Sequence, residues 1–380
     1  MANNDKVVVA NEKQGFLSKM TSSFSGIIVG IILLFGGIAM LWTNEHNNVK
    51  NIKDVKELRN QVIDISSSKV DDKYDGKLIA TNGKLTYNES VITDDAFKVS
   101  ATTPVLVRTV EYYQWVEDSE TKDDKTTYTY SKEWSEKIID SSEFNKSEGH
   151  ENNFEIKYES DRLQTKENLK VGEYSLISNF KKLLPANKSV DIDENIELPE
   201  GYKVYNKYIT NSEDTSNPKV GDVRVSYTKN DWEEVSVLGK QVDGTIGDYT
   251  TKKNTNIKKI VEGITNSEGL IGGIEQANKI SKWIWRILGT LLIVIAVGSI
   301  LGPITTLIGY IPFLGKIVNS MIGVVSFLVG LSIALLVIAI SWFAARPIVS
   351  IILIAVIVAL IVALIYYKKN KAVPAEKTNK

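Results

Sequence analysis

Four stretches without a charged side chain, residues 20–44, 287–315, 317–345 and 347–367, constrain this chain more than any other feature. A helix needs about 20 mostly apolar residues to cross the hydrocarbon of a bilayer. None of the four shows the polar stripe expected of a soluble helix, so all are read as membrane spans. Overall composition conceals this, because 43% hydrophobic and 24% charged residues would suit a soluble protein. The first stretch contains Gly37 and Ala39 in a small-x-small arrangement before Met40, as in a cleavable leader. The segment before it mixes Asp5 and Glu12 with Lys6, Lys13 and Lys19, unlike a short basic leader, and an uncleaved anchor is expected.

Between the first two spans lies a polar region long enough to hold its own core. Residues 45–280 have a net charge of −10 and the rest of the chain +9, within a total of −1. An acidic domain of this kind argues against nucleic-acid binding. The basic residues orient the spans. Lys368, Lys369 and Lys371 follow the last span directly, and with four crossings Lys19 and Lys316 fall on the same side, the cytoplasmic one. Trp42, Trp283 and Trp285 then mark the opposite interface as anchors, with Trp342 and Arg346 in the turn "SWFAARP" at the same level.

The fold class expected is an α+β membrane protein with four transmembrane helices and a large β-rich extramembrane domain. The boundaries are a cytoplasmic segment 1–25, a first helix 26–43, the extracytoplasmic domain 44–280 and a second helix 281–302. An interfacial connection 303–318 follows, where Pro303 and Pro312 favour a break, with a re-entrant hairpin or tilted helices as alternatives. Helices 319–344 and 347–367 and a basic cytoplasmic tail 368–380 complete the chain. In the domain, "TPVLVRTVEYYQWVED" and "TTYTYSKEWSEKIID" read as a hairpin with a long polar loop, and "VGDVRVSYTKNDWEEVSVLGKQ" as a second hairpin. Its alternation puts Val223, Val225 and Tyr227 on one face. "KLIATNGKL" and "EGYKVYNKYI" are further strands, enough for a barrel or sandwich. Apolar residues at three- and four-residue steps predict flanking amphipathic helices at Val49–Val62 and Ile257–Ile264.

The chain offers little for catalysis. It has no cysteine, hence no disulfide, thiol nucleophile or thiolate metal site, and its only histidines are His46 and His150. "DIDENIELPEGY" imitates the start of a calcium loop with Asp191, Asp193 and Asn195. It has Ile196 where the loop needs glycine and Tyr202 where it needs a bidentate glutamate. No phosphate loop or nucleophile elbow is present. No catalytic residue, cofactor or metal is expected, and the spans lack the ionisable residues of a transport path. Gly26 and Gly30, and Ser326 and Gly330, lie four apart, a spacing that permits close helix approach within the chain or between copies.

Several separated motifs resemble one family. They are "WTNE" after span one, "VEYYQWVED" followed by "TYTYSKEWSEKIIDSSEFNKSEGH", "NPKVGDVRVSY" and "SWFAARP" between the last two spans. In this order they are similar to the LUMA family, also called transmembrane protein 43. The resemblance implies a non-enzymatic, self-associating membrane organiser that contacts other membrane or envelope proteins, with the bilayer itself as a partner. It also makes Tyr113, Trp115, Trp134, His150, Gly221, Arg224 and Pro347 shared positions without assigning their roles. Animal relatives reside in the endoplasmic reticulum and inner nuclear membrane. The lysine-, asparagine- and isoleucine-rich, cysteine-free composition here suggests a prokaryotic member in the plasma membrane, where the sequons at Asn88, Asn145 and Asn187 are chance matches. An oligomeric pore or transporter, and an envelope- or lipid-directed hydrolase using His150, are the alternatives.

Overall fold

A computed structural model describes residues 5–10, 16–122, 125–308, 314–343 and 347–371. It divides into a β-rich unit, Gln61–Leu270 with the N-terminal strand, and a helical unit of Lys13–Asn60 with Ile271–Lys380.

The β-rich unit is built on two sheets. In one, the long strand Val105–Lys122 pairs with Lys125–Ser135 on one edge and with Val223–Lys229 on the other, and Tyr208–Thr210 and Lys203–Tyr205 extend that second side. In the other, Glu234–Val242 pairs with Leu78–Thr86 along one edge and with Lys259–Glu262 and Thr245–Gly247 along the other. Lys170–Val171 and Tyr174–Leu176 connect Leu78–Thr86 back to Thr245–Gly247, which closes a small barrel. Where barrel strands cross, a Cβ on Gly239 would stand 2.5 Å from the Gly247 carbonyl oxygen, so the closure needs glycine there. Leu169, Val171, Tyr174, Phe180, Val235 and Val237 fill the barrel. A second core gathers Phe97, Leu106, Val110, Tyr112, Val225 and Tyr227. Val105 belongs to the first core and Leu106 to the second, because successive side chains of a strand point to opposite faces.

Three expectations are corrected in this unit. The long loop expected in the first hairpin is mostly strand, since the pairing runs through the polar run to Lys122 and from Lys125. "VGDVRVSYTKNDWEEVSVLGKQ" is not a hairpin. Val223, Val225 and Tyr227 are buried on one face as the alternation requires, but Val223–Lys229 and Glu234–Val242 lie in different sheets. Residues 257–264 are not an amphipathic helix, since Lys259–Glu262 pairs with Glu234–Val242 and buries Ile260 in the barrel core. Short apolar runs fit either period, and here pairing to an adjacent strand decides.

The N-terminal segment expected to be a cytoplasmic tail carries a strand, Asp5–Ala10, on the edge of Lys125–Ser135. That pairing and a bilayer crossing between residue 10 and the domain exclude one another.

The helical unit contains α1 (Phe16–Gln61), α2 (Ser267–Ile308), α3 (Leu314–Phe343) and α4 (Pro347–Lys371). Among the described residues three helices are long and apolar enough to cross a membrane, within Ser25–Gln61, Ser267–Ile304 and Met321–Phe343. In α4 the described apolar stretch, Ile354–Tyr367, is shorter. The expected amphipathic helix at 49–62 is the continuation of span one, as no glycine or proline follows Gly37 in α1 to break it. α2 starts where Asn266 accepts a hydrogen bond from the Gly269 amide (3.0 Å), a side-chain cap on the first turn. Asp64 adds acceptors for the Ser267 amide and hydroxyl at 2.8 and 2.5 Å. Pro303 does not end α2, which continues to Ile308, so the interfacial connection expected at 303–318 shrinks. Pro312 lies outside the described residues.

α1 and α2 pack antiparallel through glycines. A Cβ on Gly30 would meet the Ala296 carbonyl oxygen at 2.9 Å and Ile300 Cγ1 at 2.8 Å. One on Gly37 would meet Gly289 O at 3.1 Å, and one on Gly26 would lie 3.7 Å from Ser299 O. Gly330 of α3 approaches the Val294 Cα of α2 at 2.8 Å by the same measure, and Ser326 is buried 3.7 Å from the corresponding point on Gly298. These small residues allow backbones to approach inside one chain. Gly30→Leu is expected to cost about 1–3 kcal/mol of stability by overpacking, seen as a lower unfolding midpoint in detergent, while Gly36→Leu, with open space around it, changes little.

Candidate functional site

Among the described residues the helical unit holds a buried, bidentate ion pair. Glu45 of α1 is completely buried, and Arg286 of α2 meets it with both ends of its guanidinium, Nε to Oε1 at 2.6 Å and Nη2 to Oε2 at 2.7 Å. Trp342 of α3, only 5% exposed, donates its indole N–H to Oε2. Asn44 donates to Oε1 at 3.3 Å and to the Lys282 carbonyl at 3.2 Å. One carboxylate therefore ties three helices. A bidentate arginine fork supplies two charge-assisted hydrogen bonds, and the extra donors occupy the remaining lone pairs, as a charge withdrawn from water requires.

Trp342, one of the expected anchors, packs into the bundle. Trp42, Trp283 and Trp285 are 50%, 57% and 45% exposed, and Arg286 lies 5.0 Å over the Trp283 ring. Arg346 lies outside the described residues, and Pro347 opens α4.

In the β-rich unit the shared motif positions form two clusters. Tyr113 and Trp134 are cross-strand partners with ring centroids 5.3 Å apart, and Arg224 lies over Trp134 at 4.8 Å while bonding Glu111 at 2.8 Å. In the second, His150 stacks on Tyr130 at 3.9 Å, meets the edge of Trp115 at 4.7 Å and places Nδ1 3.0 Å from the Lys146 carbonyl. Tyr130 donates to Glu117 at 2.7 Å, and burial followed by that contact pushes its phenol up to about 12. His150 is a packed aromatic ring. Gly221 holds φ at +94°, and a Cβ there would reach 2.9 Å from Phe154 Cβ. In the calcium-loop lookalike, Asp193 accepts from the Asn195 amide at 2.9 Å, an ordinary Asx turn. Among the described residues no group of three acidic or histidine side chains converges as a metal site would.

The sequence profile of the transmembrane protein 43 family matches residues 112–347. The chain belongs to this family. Transmembrane protein 43 of the mouse is 25% identical over 370 residues, 90% of each chain. The human protein is 24% identical over 360 residues, covering 90% of this chain and 89% of its own. The Drosophila melanogaster homologue is 25% identical over 338 residues, 85% of this chain and 89% of its own. No solved structure matches. Within the transmembrane protein 43 framework, the motifs "WTNE" and "SWFAARP" supply Glu45 and Trp342 to the same contact from opposite ends of the sequence.

Sequence reasoning passed over Glu45 and Arg286 because both fall at the edges of charge-free stretches, where charges normally face water. A signal was available. Each follows a tryptophan by three residues, Trp42 and Trp283, so opposite charges stand at one depth on neighbouring helices. Arg286→Met is expected to destabilise the helical unit by about 3–5 kcal/mol by stranding the Glu45 charge. The double variant Glu45→Gln, Arg286→Met should recover part of the loss, and thermal unfolding of the three proteins in one detergent measures both effects.

Proposed function

We propose that the chain is a non-enzymatic multi-pass membrane scaffold that self-associates and contacts membrane or envelope components through its extramembrane domain. The supporting observation is how the motif residues spend their polar atoms. Glu45 and Trp342, with Arg286, join helix to helix, Glu111 and Arg224 join strand to strand, and His150 bonds the Lys146 carbonyl of its own loop, so these polar atoms are spent on the fold. α4 is a fourth crossing in this reading, and Lys368, Lys369 and Lys371 face the cytoplasm with the acidic domain outside.

The N-terminal strand and the first crossing make competing demands. Six residues of edge pairing contribute a few kcal/mol at about 0.2–1 kcal/mol per cross-strand pair. Withdrawing a span of about 20 apolar residues from lipid costs on the order of 10 kcal/mol. The strand therefore yields, and Asp5–Ala10 lies across the membrane from the domain. The chain has no cysteine, so a Val7→Cys, Tyr128→Cys pair, adjacent in the edge pairing, tests this cleanly. In intact membranes no disulfide is expected, and Val7→Cys should be labelled from the same side as Lys371→Cys and the opposite side from Lys207→Cys. A Val7–Tyr128 disulfide would overturn the topology.

The edge of Lys125–Ser135 is then open, and an open edge pairs with another chain. A second copy meeting it antiparallel gives a two-fold symmetric contact. Light scattering with the detergent subtracted should return a multiple of the 42.3 kDa chain mass, and Thr127→Pro should lower it. A 42.3 kDa species at all concentrations would remove the self-association reading.

A further inference from the structure

We propose that a groove between α1 and α2 binds one anionic phospholipid, with its phosphate at Lys282 and its acyl chain along the glycine-containing face of α1. The proposal rests on α1 and α2 crossing the membrane and not on the scaffold reading.

The groove has a volume of about 670 Å³ and changes character along its length. At one end Gly36, Ala39 and Met40 line it, and at the other Asn48, Asn278 and Lys282 do so. From Gly36 to Asn51, its limits on α1, the helix rises about 22 Å at 1.5 Å per residue. That equals half the thickness of a bilayer, about 40–45 Å with headgroups. An apolar end at hydrocarbon depth and an amide and ammonium end at headgroup depth fit a single lipid of one leaflet.

The polar end is costly to build. Asn44, Asn47, Asn48 and Asn51 recur at helical spacing on α1, and each asparagine costs about 0.5 kcal/mol of helix propensity relative to alanine. Asn48 is 7% exposed, and its buried Nδ2 has no hydrogen-bond partner. A buried amide N–H without an acceptor is destabilising, and a phosphate or glycerol oxygen would satisfy it.

Charge selects the headgroup. Lys282 lines this groove, the neighbouring one of about 380 Å³, where Lys56 joins it, and an apolar one of about 480 Å³ between α2 and α3. Lys282 is the one charged side chain lining the first groove, and Lys56, Arg59, Lys279 and Lys282 line the second against Glu275 alone. The lining of both grooves is net positive, which favours an anionic over a zwitterionic headgroup.

Native mass spectrometry of the full chain, exchanged from mixed micelles holding equal phosphatidylglycerol and phosphatidylcholine, reads this directly. One phosphatidylglycerol per protomer should be retained. Lys282→Gln and Asn48→Leu should each lower retention about tenfold, while Lys207→Gln, a surface control, leaves it unchanged. Thermal midpoints of the variants in lipid-free detergent report whether the fold is intact. Equal retention of the two lipids, or unchanged retention in both groove variants, would overturn the proposal. So would displacement of the lipid by millimolar inorganic phosphate, which would make this a site for soluble anions.

Discussion

A carboxylate removed from water must find positive charge and donors, or it prevents the fold from forming, and in the helical unit that carboxylate is Glu45. Arg286 and Trp342 satisfy it only when α1, α2 and α3 are in register, so the contact specifies alignment as much as it contributes stability. Apolar helices in lipid have many nearly equivalent ways to slide past one another, because lipid tails are as apolar as their side chains. A single polar contact removes that degeneracy. The glycines then determine how close the helices come, with Gly30 and Gly37 placing α1 backbone against α2 along the same antiparallel line.

The β-rich unit solves a different problem. Its short strands would leave many open edges, and the barrel removes several by closing Leu78–Thr86 back onto Glu234–Val242. Buried polar groups are paired here too. Asp94 sits at the second core and receives Arg108, the Tyr227 hydroxyl at 2.5 Å and the Phe97 amide at 3.2 Å. Burial pushes the Tyr227 phenol strongly upward, helped by the Asp94 carboxylate.

Much of this was legible in the sequence. The three long apolar helices and the β-rich region between the first two were visible as runs and alternations, and the motifs identified the family. The misreadings share a cause. Val223–Lys229 and Glu234–Val242 look like a hairpin because they are adjacent, yet they join different sheets, and Asn230 in the segment between them bonds the Pro185 carbonyl, all of which depends on distant residues. Ile257, Ile260, Val261 and Ile264 fit a helical step, but only the pairing with Glu234–Val242 shows their period to be two. The Glu45 contact joins residues 241 and 297 positions apart, a separation that no local pattern reveals.

The barrel's closing strand has a consequence for synthesis. Leu78–Thr86 has no lasting partner on its main edge until Glu234–Val242 emerges, and Lys259–Glu262 arrives only just before α2 begins. At about 5–20 residues per second of synthesis, the early strand waits on the order of ten seconds or more. The domain thus remains an unfinished chain until the second apolar helix is being made. Completion of the β-rich fold and synthesis of the second apolar helix are therefore nearly simultaneous events.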